Sequence, residues 1–266
     1  MKVLYIGDVM AEPGMRVVEK FLPGLREELE LDLVIAQAEN LSNGRGVLRK
    51  DYERLLSLGV DFCTGGNWSL AEPEIIPDME DMESPIIRPA NYPTGTPGLG
   101  YKYIRTNQGN VLVISLVGGL VGRDAKKEMA NPLKVVDAIL EAQSQFVKAA
   151  TIVNFHGDYS SEKLVIGYYL DGRVSAVIGD HWHIPTADAT VLPKGTAHIT
   201  DVGMCGTIMS SLGVKTDTII KRWRDGEAVK NEIELSGLLQ FNALLMEINP
   251  KTGLTKSVKQ IQKRVD

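Results

Sequence analysis

The sequence predicts an α/β fold on three observations. Short apolar runs alternate with loops and with segments whose apolar residues recur at helical spacing, the pattern of stacked β–α units on a largely parallel sheet. Polar, metal-competent side chains follow those runs at once, and the carboxyl ends of parallel strands are where such sheets gather ligands. Beyond Asp188 the runs shorten and cluster about turns, which predicts a mixed sheet closing on itself or onto the first. A length of 266 residues with 44% apolar content suits one large α/β domain over residues 1–266, or such a domain with an inserted or appended cap. No internal repeat, low-complexity segment or long linker divides the chain, so a single domain is expected.

The elements follow in order. Residues 3–6 form an apolar run that stops at Gly7-Asp8, with a turn expected around Glu12-Pro13-Gly14. Val17, Val18, Phe21, Leu22 and Leu25 then mark a helix. Residues 33–36 form a second run, stopping at Glu39-Asn40 before the loop at 42–46. Leu48, Tyr52, Leu55 and Leu56 mark a helix that Gly59 can cap. Residues 60–64 predict a third strand, ending at Gly65-Gly66-Asn67-Trp68, and the proline- and glycine-rich stretch 85–100 reads as a long ordered loop. A buried strand is expected at 111–116, and a helix at Leu133, Val136, Ile139 and Leu140. Residues 151–155 predict a strand ending at His156, and a short helix starts at Ser161-Glu162-Lys163-Leu164. Residues 174–178 predict the strand that leads into His181-Trp182-His183. Val191-Leu192 and 197–200 predict short strands, 216–223 a helix, and the end of the chain two or three strands about a turn at 249–253.

Lysine plus arginine number 29 against 34 aspartate plus glutamate, a net charge of −5. That balance argues against an extended nucleic-acid surface but is compatible with a small phosphate-containing ligand held by metal ions. Two cysteines, Cys63 and Cys205, are too few for a disulfide framework and fit a reducing cytoplasm. No signal-peptide pattern opens the sequence and no apolar run is long enough to span a bilayer, so no membrane role is expected.

The chain has four histidines, and His181 and His183 stand two apart at an expected strand end, where both rings fall on one side. Asp8, Glu39, Asn40, Asn67 and His156 likewise follow apolar runs. Any one of these reads well as a turn former or helix cap. Together they supply two carboxylates, three imidazoles and carboxamides, a donor set for two divalent cations of intermediate hardness. The absence of cysteine weighs against a structural zinc site. A carboxylate can bridge metals about 3.5–4 Å apart and so prepare water for attack on phosphorus. Manganese, iron and zinc all remain open. A dinucleotide-binding reading fails because residues 7–14 lack the second glycine that close pyrophosphate approach needs. Asn43-Gly44-Arg45-Gly46 reads as a phosphate cradle or a flexible loop, Arg45 and Arg88 as anion contacts or solvated charges, His198 as packing, and Cys63 as a small apolar residue.

Gly7-Asp8, Ala38-Glu39-Asn40, Gly66-Asn67, Phe155-His156 and Gly179-Asp180-His181-Trp182-His183 resemble the dinuclear calcineurin-like metallophosphoesterases, and within them the bacterial YmdB-like phosphodiesterases. The segments 88–98, Ser161-Glu162-Lys163 and 193–204 support that branch, so the resemblance covers nearly the whole chain. It implies a four-layer α-β-β-α sandwich of two mixed sheets flanked by helices. It also implies hydrolysis of cyclic nucleotides or related phosphodiesters, a centre of two divalent or mixed-valence ions, iron or manganese foremost, and a homo-oligomer, dimer or tetramer. By position, Asp8 and His183 would hold one ion, Asn67, His156 and His181 the other, and Glu39 would bridge them. Asn40 would contact the substrate phosphate, and a bridging hydroxide would attack in line.

Three departures stand out. Trp68 replaces the histidine that the family places after the asparagine, the expected proton donor to the leaving oxygen, and an indole has no proton to give near neutral pH. Gly157-Asp158-Tyr159-Ser160 replaces the family's alanine-glutamate-alanine-threonine, and Trp182 stands where a small polar residue is usual. Two readings follow: a phosphodiesterase of weakened or redirected activity, or a catalytically feeble metal- and nucleotide-binding regulatory protein. Each tryptophan reads equally as packing or as a stacking face for a base.

Overall fold

In the computed structural model, described at residues 1–119, 121 and 128–266, two mixed sheets face each other across a shared apolar layer. The seven-stranded sheet runs β2 (Asp8–Val9), β11 (Met204–Thr207), β12 (Leu239–Ile248), β1 (Lys2–Ile6), β3 (Leu33–Gln37) and β4 (Phe62–Thr64), with β13 (Thr255–Val265) paired along β12. The six-stranded sheet runs β5 (Tyr101–Thr106), β6 (Gly109–Val117), β7 (Ala150–His156), β8 (Ala176–Asp180), β10 (Ala197–Ile199) and β9 (Thr190–Val191).

Alternation along the strands makes the layers. Val3, Tyr5, Leu33 and Ile35 point from the first sheet into the layer that Val113, Ile152 and Ile178 fill from the second. The intervening residues Leu4, Ile6, Val34 and Ala36 pack outward with Val17, Val18 and Leu22 of α1 (Ala11–Leu29) and Tyr52 and Leu55 of α2 (Arg49–Ser57). On the far side, Leu112, Ile114, Val153 and Val177 pack with Val136 and Ile139 of α4 (Pro132–Ala142) and Ile166 of α5 (Ser160–Tyr169). Each such buried aliphatic side chain contributes about 1.5–3 kcal/mol of transfer free energy. The result is the expected α-β-β-α sandwich.

The pairing also sets the site. β1, β3 and β4 are parallel, as are β6, β7, β8 and β10, so the carboxyl ends of each set emerge together. In register, His156 lies beside Asp180 and Met204 beside Asp8.

Several expectations are corrected. Glu12-Pro13-Gly14 is the first turn of α1 rather than a separate turn; Pro13 needs no backbone donor there. The strand before the histidine pair begins at Ala176 and ends at Asp180, so His181 follows it directly. Of the closing strands, β12 and β13 join the first sheet, as one of the two expected arrangements has it, while β9 and β10 join the second rather than a sheet of their own. β5 and β11 were not expected, nor were the short helical turn at Pro73–Ile75 and α3 (Ile76–Glu80). No helix of the described residues is long and apolar enough to cross a membrane.

Candidate metal centre

All the strand-end residues singled out in the sequence meet on one edge, between the two sheets. The Nε2 atom of His156, at the end of β7, is 2.8 Å from Asn67 Oδ1 and 2.9 Å from Glu39 Oε1. The His181 ring packs edge-on against it at 4.3 Å between centroids. One ligand atom each from Glu39, His156 and His181 fits within 4.8 Å of the others. A second group lies beside this one. His183 Nε2 is 3.3 Å from Asn40 Oδ1 and 3.6 Å from Asp8 Oδ1, and the His181 amide is 3.4 Å from Asp8 Oδ2.

Local backbone geometry makes this convergence possible. His181 and His183 lie beyond β8 with φ of +98° and +62°, a region L-residues seldom adopt, rather than in the extended backbone expected of them. The two rings reach different partners, His181 the His156 ring and Asp158, His183 the side chains of Asp8 and Asn40. Gly66 admits no side chain: a Cβ there would come within 2.5 Å of Glu39 Oε2 and 2.6 Å of the His156 ring.

The donor set fits cations. Nδ1 of His183 is 3.2 Å from the Leu212 carbonyl, an acceptor only, so the ring proton resides on Nδ1. Burial first, then the neighbouring His181, pushes the His183 pKa down to about 4, so near neutral pH its Nε2 presents a bare lone pair. That lone pair faces Asp8 Oδ1, a buried atom with no hydrogen-bond partner. Burial, then the charge of Asp180, holds the Asp8 carboxyl well above the usual carboxylate range. A carboxyl so placed is driven toward its protonated form in the metal-free protein, and a cation between the two atoms would take the place of that proton.

At the other group a proton stands where a cation would sit. Burial opposes charge on His156, but Glu39 and Asp180 outweigh it and hold the imidazole well above its ordinary pKa. Nδ1 pairs with Asp180 Oδ1 at 2.7 Å, which leaves Nε2 aimed at Glu39 and Asn67. Carboxylate–histidine pairs of this kind fix the ring and its basicity for metal binding. Burial likewise opposes charge on Glu39, and His156 outweighs it, keeping this carboxyl below its usual range. The Trp68 amide donates to Glu39 Oε2 at 2.8 Å.

The support behind the ligands was not read from the sequence. Asp180 accepts from Tyr5 Oη at 2.9 Å and from the Asn154 carboxamide. Lys163, fully buried on α5, donates to the Asp180 carbonyl at 2.6 Å and to Asp201 Oδ2 at 2.7 Å. Asp201 in turn accepts from the Trp182 amide at 2.9 Å. Asp158 Oδ1 lies 2.9 Å from His181 Nε2. Lys163 and Asp201 lay inside segments already noted, but only the packing of α5 against β8 shows what they hold.

The remaining candidates separate cleanly. The Lys163 ammonium lies 4.1 Å over the Trp182 ring, whose Nε1 donates to the Asp158 carbonyl at 3.0 Å, so Trp182 packs and braces. The Arg45 guanidinium covers the Trp68 ring at 4.1 Å. Arg88 is committed to the carbonyls of Pro89, Thr96 and Pro97 and closes its own loop. His198 is buried against Gly167 and bonds the Val177 carbonyl, outside the ligand set. Cys63 and Cys205 are free and buried in the core, and burial pushes both thiols up, Cys205 to about 12.

Comparison with known proteins gives the chain's family and relatives. A family described as YmdB-like protein matches residues 4–261. The chain is 36% identical to the 2′,3′-cyclic-nucleotide 2′-phosphodiesterase of Bacillus subtilis, over 98% of this chain and 96% of that protein. A crystal structure of a hypothetical protein from Thermus thermophilus superposes with a TM-score of 0.89 at 36% identity, covering 99% of both chains. A structure described as a novel phosphatase from Mycoplasma pneumoniae superposes with a TM-score of 0.92 at 28% identity, covering 99% of this chain and 93% of that one.

Proposed function

The chain belongs to the family of YmdB-like proteins and is a phosphoesterase, and on that premise we propose that residues 1–266 form one metallophosphoesterase domain hydrolysing phosphodiesters, cyclic nucleotides among them, at a dinuclear metal centre. The observation that carries the reading is the buried lone pair of His183 Nε2 facing the unpartnered Asp8 Oδ1, beside the Glu39–His156–His181 group. Asp8 and His183 would hold one ion; Asn67, His156 and His181 would hold the other; Glu39 would span both. The mixed oxygen and imidazole set suits iron or manganese, and zinc also fits. When bound, the ions would supply an activated water and offset charge on the phosphoryl oxygens.

The chain's own groups do the rest. Asp180 and the Trp68 amide hold His156 and Glu39 in place. Asn40 Nδ2 spends one hydrogen on the Gly44 carbonyl at 3.0 Å and keeps the other for a phosphate oxygen. Trp68 gives no proton to the leaving oxygen, so esters with poor leaving groups lose a factor of about 10²–10⁴ relative to a site with a general acid. A cytoplasmic location and a homo-oligomeric state belong to the same proposal; two free, buried cysteines support the first and the family resemblance supports the second.

The test is hydrolysis by metal-loaded protein of an activated p-nitrophenyl diester and of 2′,3′- and 3′,5′-cyclic nucleotides. The activated diester is expected to turn over readily and the cyclic nucleotides slowly. Trp68→His is expected to raise cyclic-nucleotide turnover by about 10²–10⁴ while changing the activated diester little. No hydrolysis of any of these substrates would overturn the phosphodiesterase reading. Unchanged cyclic-nucleotide turnover in the variant would overturn the role given to Trp68.

A further inference from the structure

We infer that Arg45, seated on the Trp68 indole, is a substrate-contacting residue that offers a fixed positive charge to the leaving-group side of the phosphodiester, in place of a proton. The inference rests on the phosphodiesterase reading for its substrate. Its grounds are the placement of Arg45. The guanidinium lies 4.1 Å over the ring of the residue whose own amide bonds Glu39. Position 68 is where the resemblance puts the proton donor.

The loop carrying Arg45 is built onto the site. Gly46 N donates to the Glu39 carbonyl at 2.6 Å, and Asn40 Nδ2 donates to the Gly44 carbonyl at 3.0 Å. Ser42 N donates to the Gly46 carbonyl at 3.0 Å, which closes the loop. Gly44 sits at φ +77°, a backbone conformation that L-residues seldom adopt. The loop is therefore pinned on both sides of Arg45 by the residues proposed to bridge the metals and to touch the phosphate.

The charge itself is uncommitted. Arg26, Arg49, Arg54, Arg173 and Arg224 pair with carboxylates. Arg88 is bound to carbonyls. Among the described residues Arg45 has no carboxylate partner, and its side chain is exposed. A guanidinium stacked on an indole keeps all its N–H edges for an anion, and its planar fork matches phosphate oxygens. The same stack covers one face of Trp68, so that face is taken by a cation rather than by a base.

In the reaction water, giving up one proton to solvent, forms a bond to phosphorus as the bond from phosphorus to the leaving oxygen breaks. The leaving oxygen keeps the electron pair, is stabilised beside the guanidinium, and takes its proton from solvent. Arg45 therefore lowers the cost of negative charge on that oxygen without acting as an acid.

The experiment compares wild type, Arg45→Gln and Arg45→Lys, all metal-loaded. Calorimetry reads the Kd for inorganic phosphate, and kinetics reads a series of aryl and alkyl phosphodiesters of graded leaving-group pKa. Arg45→Gln is expected to weaken phosphate roughly tenfold. It should also lose more rate as the leaving group worsens, with Arg45→Lys partly restoring both. An unchanged phosphate Kd in Arg45→Gln would overturn the contact. A rate loss equal across the series would overturn the leaving-group role. Phosphate binding needs no turnover: weaker phosphate in Arg45→Gln with no hydrolysis by wild type would keep the contact and overturn the phosphodiesterase reading instead.

Discussion

Nε2 of His183 lies 3.6 Å from Oδ1 of Asp8, and both side chains are buried. With the ring proton held on Nδ1 by the Leu212 carbonyl, the Nε2 lone pair faces a carboxyl that burial and the charge of Asp180 drive toward its protonated form. Such a pair is a liability to the metal-free fold and an asset to a cation.

Asp8→Asn should therefore move stability and metal binding in opposite directions. Without metal, the variant's Tm is expected to rise by about 2–4 °C, equivalent to roughly 1 kcal/mol. Its metal affinity should fall by a hundredfold or more, on the order of 3 kcal/mol. Thermal unfolding with and without metal checks both, and a lower metal-free Tm would contradict the reading of Asp8 as a waiting ligand.

Metal uptake should also depend on pH, with a sign set by His156. Its folded-state pKa is raised above the ordinary value of about 6.5, because Glu39 and Asp180 outweigh burial. The bound proton thus stabilises the metal-free protein fully below about pH 6.5, and that contribution is lost as pH rises through the folded value. A metal must displace this proton, so apparent affinity should rise about tenfold per pH unit for each proton released. His183, pushed down to about 4, is neutral near neutral pH and adds no slope there. Calorimetry in buffers of different ionisation enthalpy counts the protons; a flat profile with none released would contradict the protonated His156.

The Lys163–Asp201 pair makes a separate claim on stability. Its atoms are 2.7 Å apart and both side chains are 0% exposed. Lys163→Met leaves the Asp201 carboxylate buried without its partner and is expected to cost about 3–5 kcal/mol. Adding Asp201→Asn should restore most of that loss. Chemical denaturation measures it, and a single variant within about 1 kcal/mol of wild type would show that the pair does not tie α5 to the segment after β10.

Much of this site was legible because parallel strands deliver their carboxyl ends to one edge: Asp8, Glu39, Asn67, His156, His181 and His183 each follow an apolar run. What stands behind them was not. Asp180 closes a strand as any aspartate might, and only the β7–β8 register puts it on His156. Lys163 lies in a helix of exposed and buried residues alike, and its burial depends on β8 and Trp182. β5 and β11 escaped for a related reason. Tyr101–Thr106 carries Lys102 and Arg105 among its apolar residues, and Met204–Thr207 is four residues long, so neither shows a period strong enough to read. Arg45 was visible as a loop arginine, but its seat on Trp68 is a tertiary contact.

The most direct measurement is the metal content of the reloaded, desalted protein by mass spectrometry, alongside His156→Ala and His183→Ala. Close to two equivalents of transition metal per wild-type chain are expected, with each variant losing at least one. A wild-type protein that retains none would contradict a metal centre, and one that saturates at a single equivalent would contradict a dinuclear one.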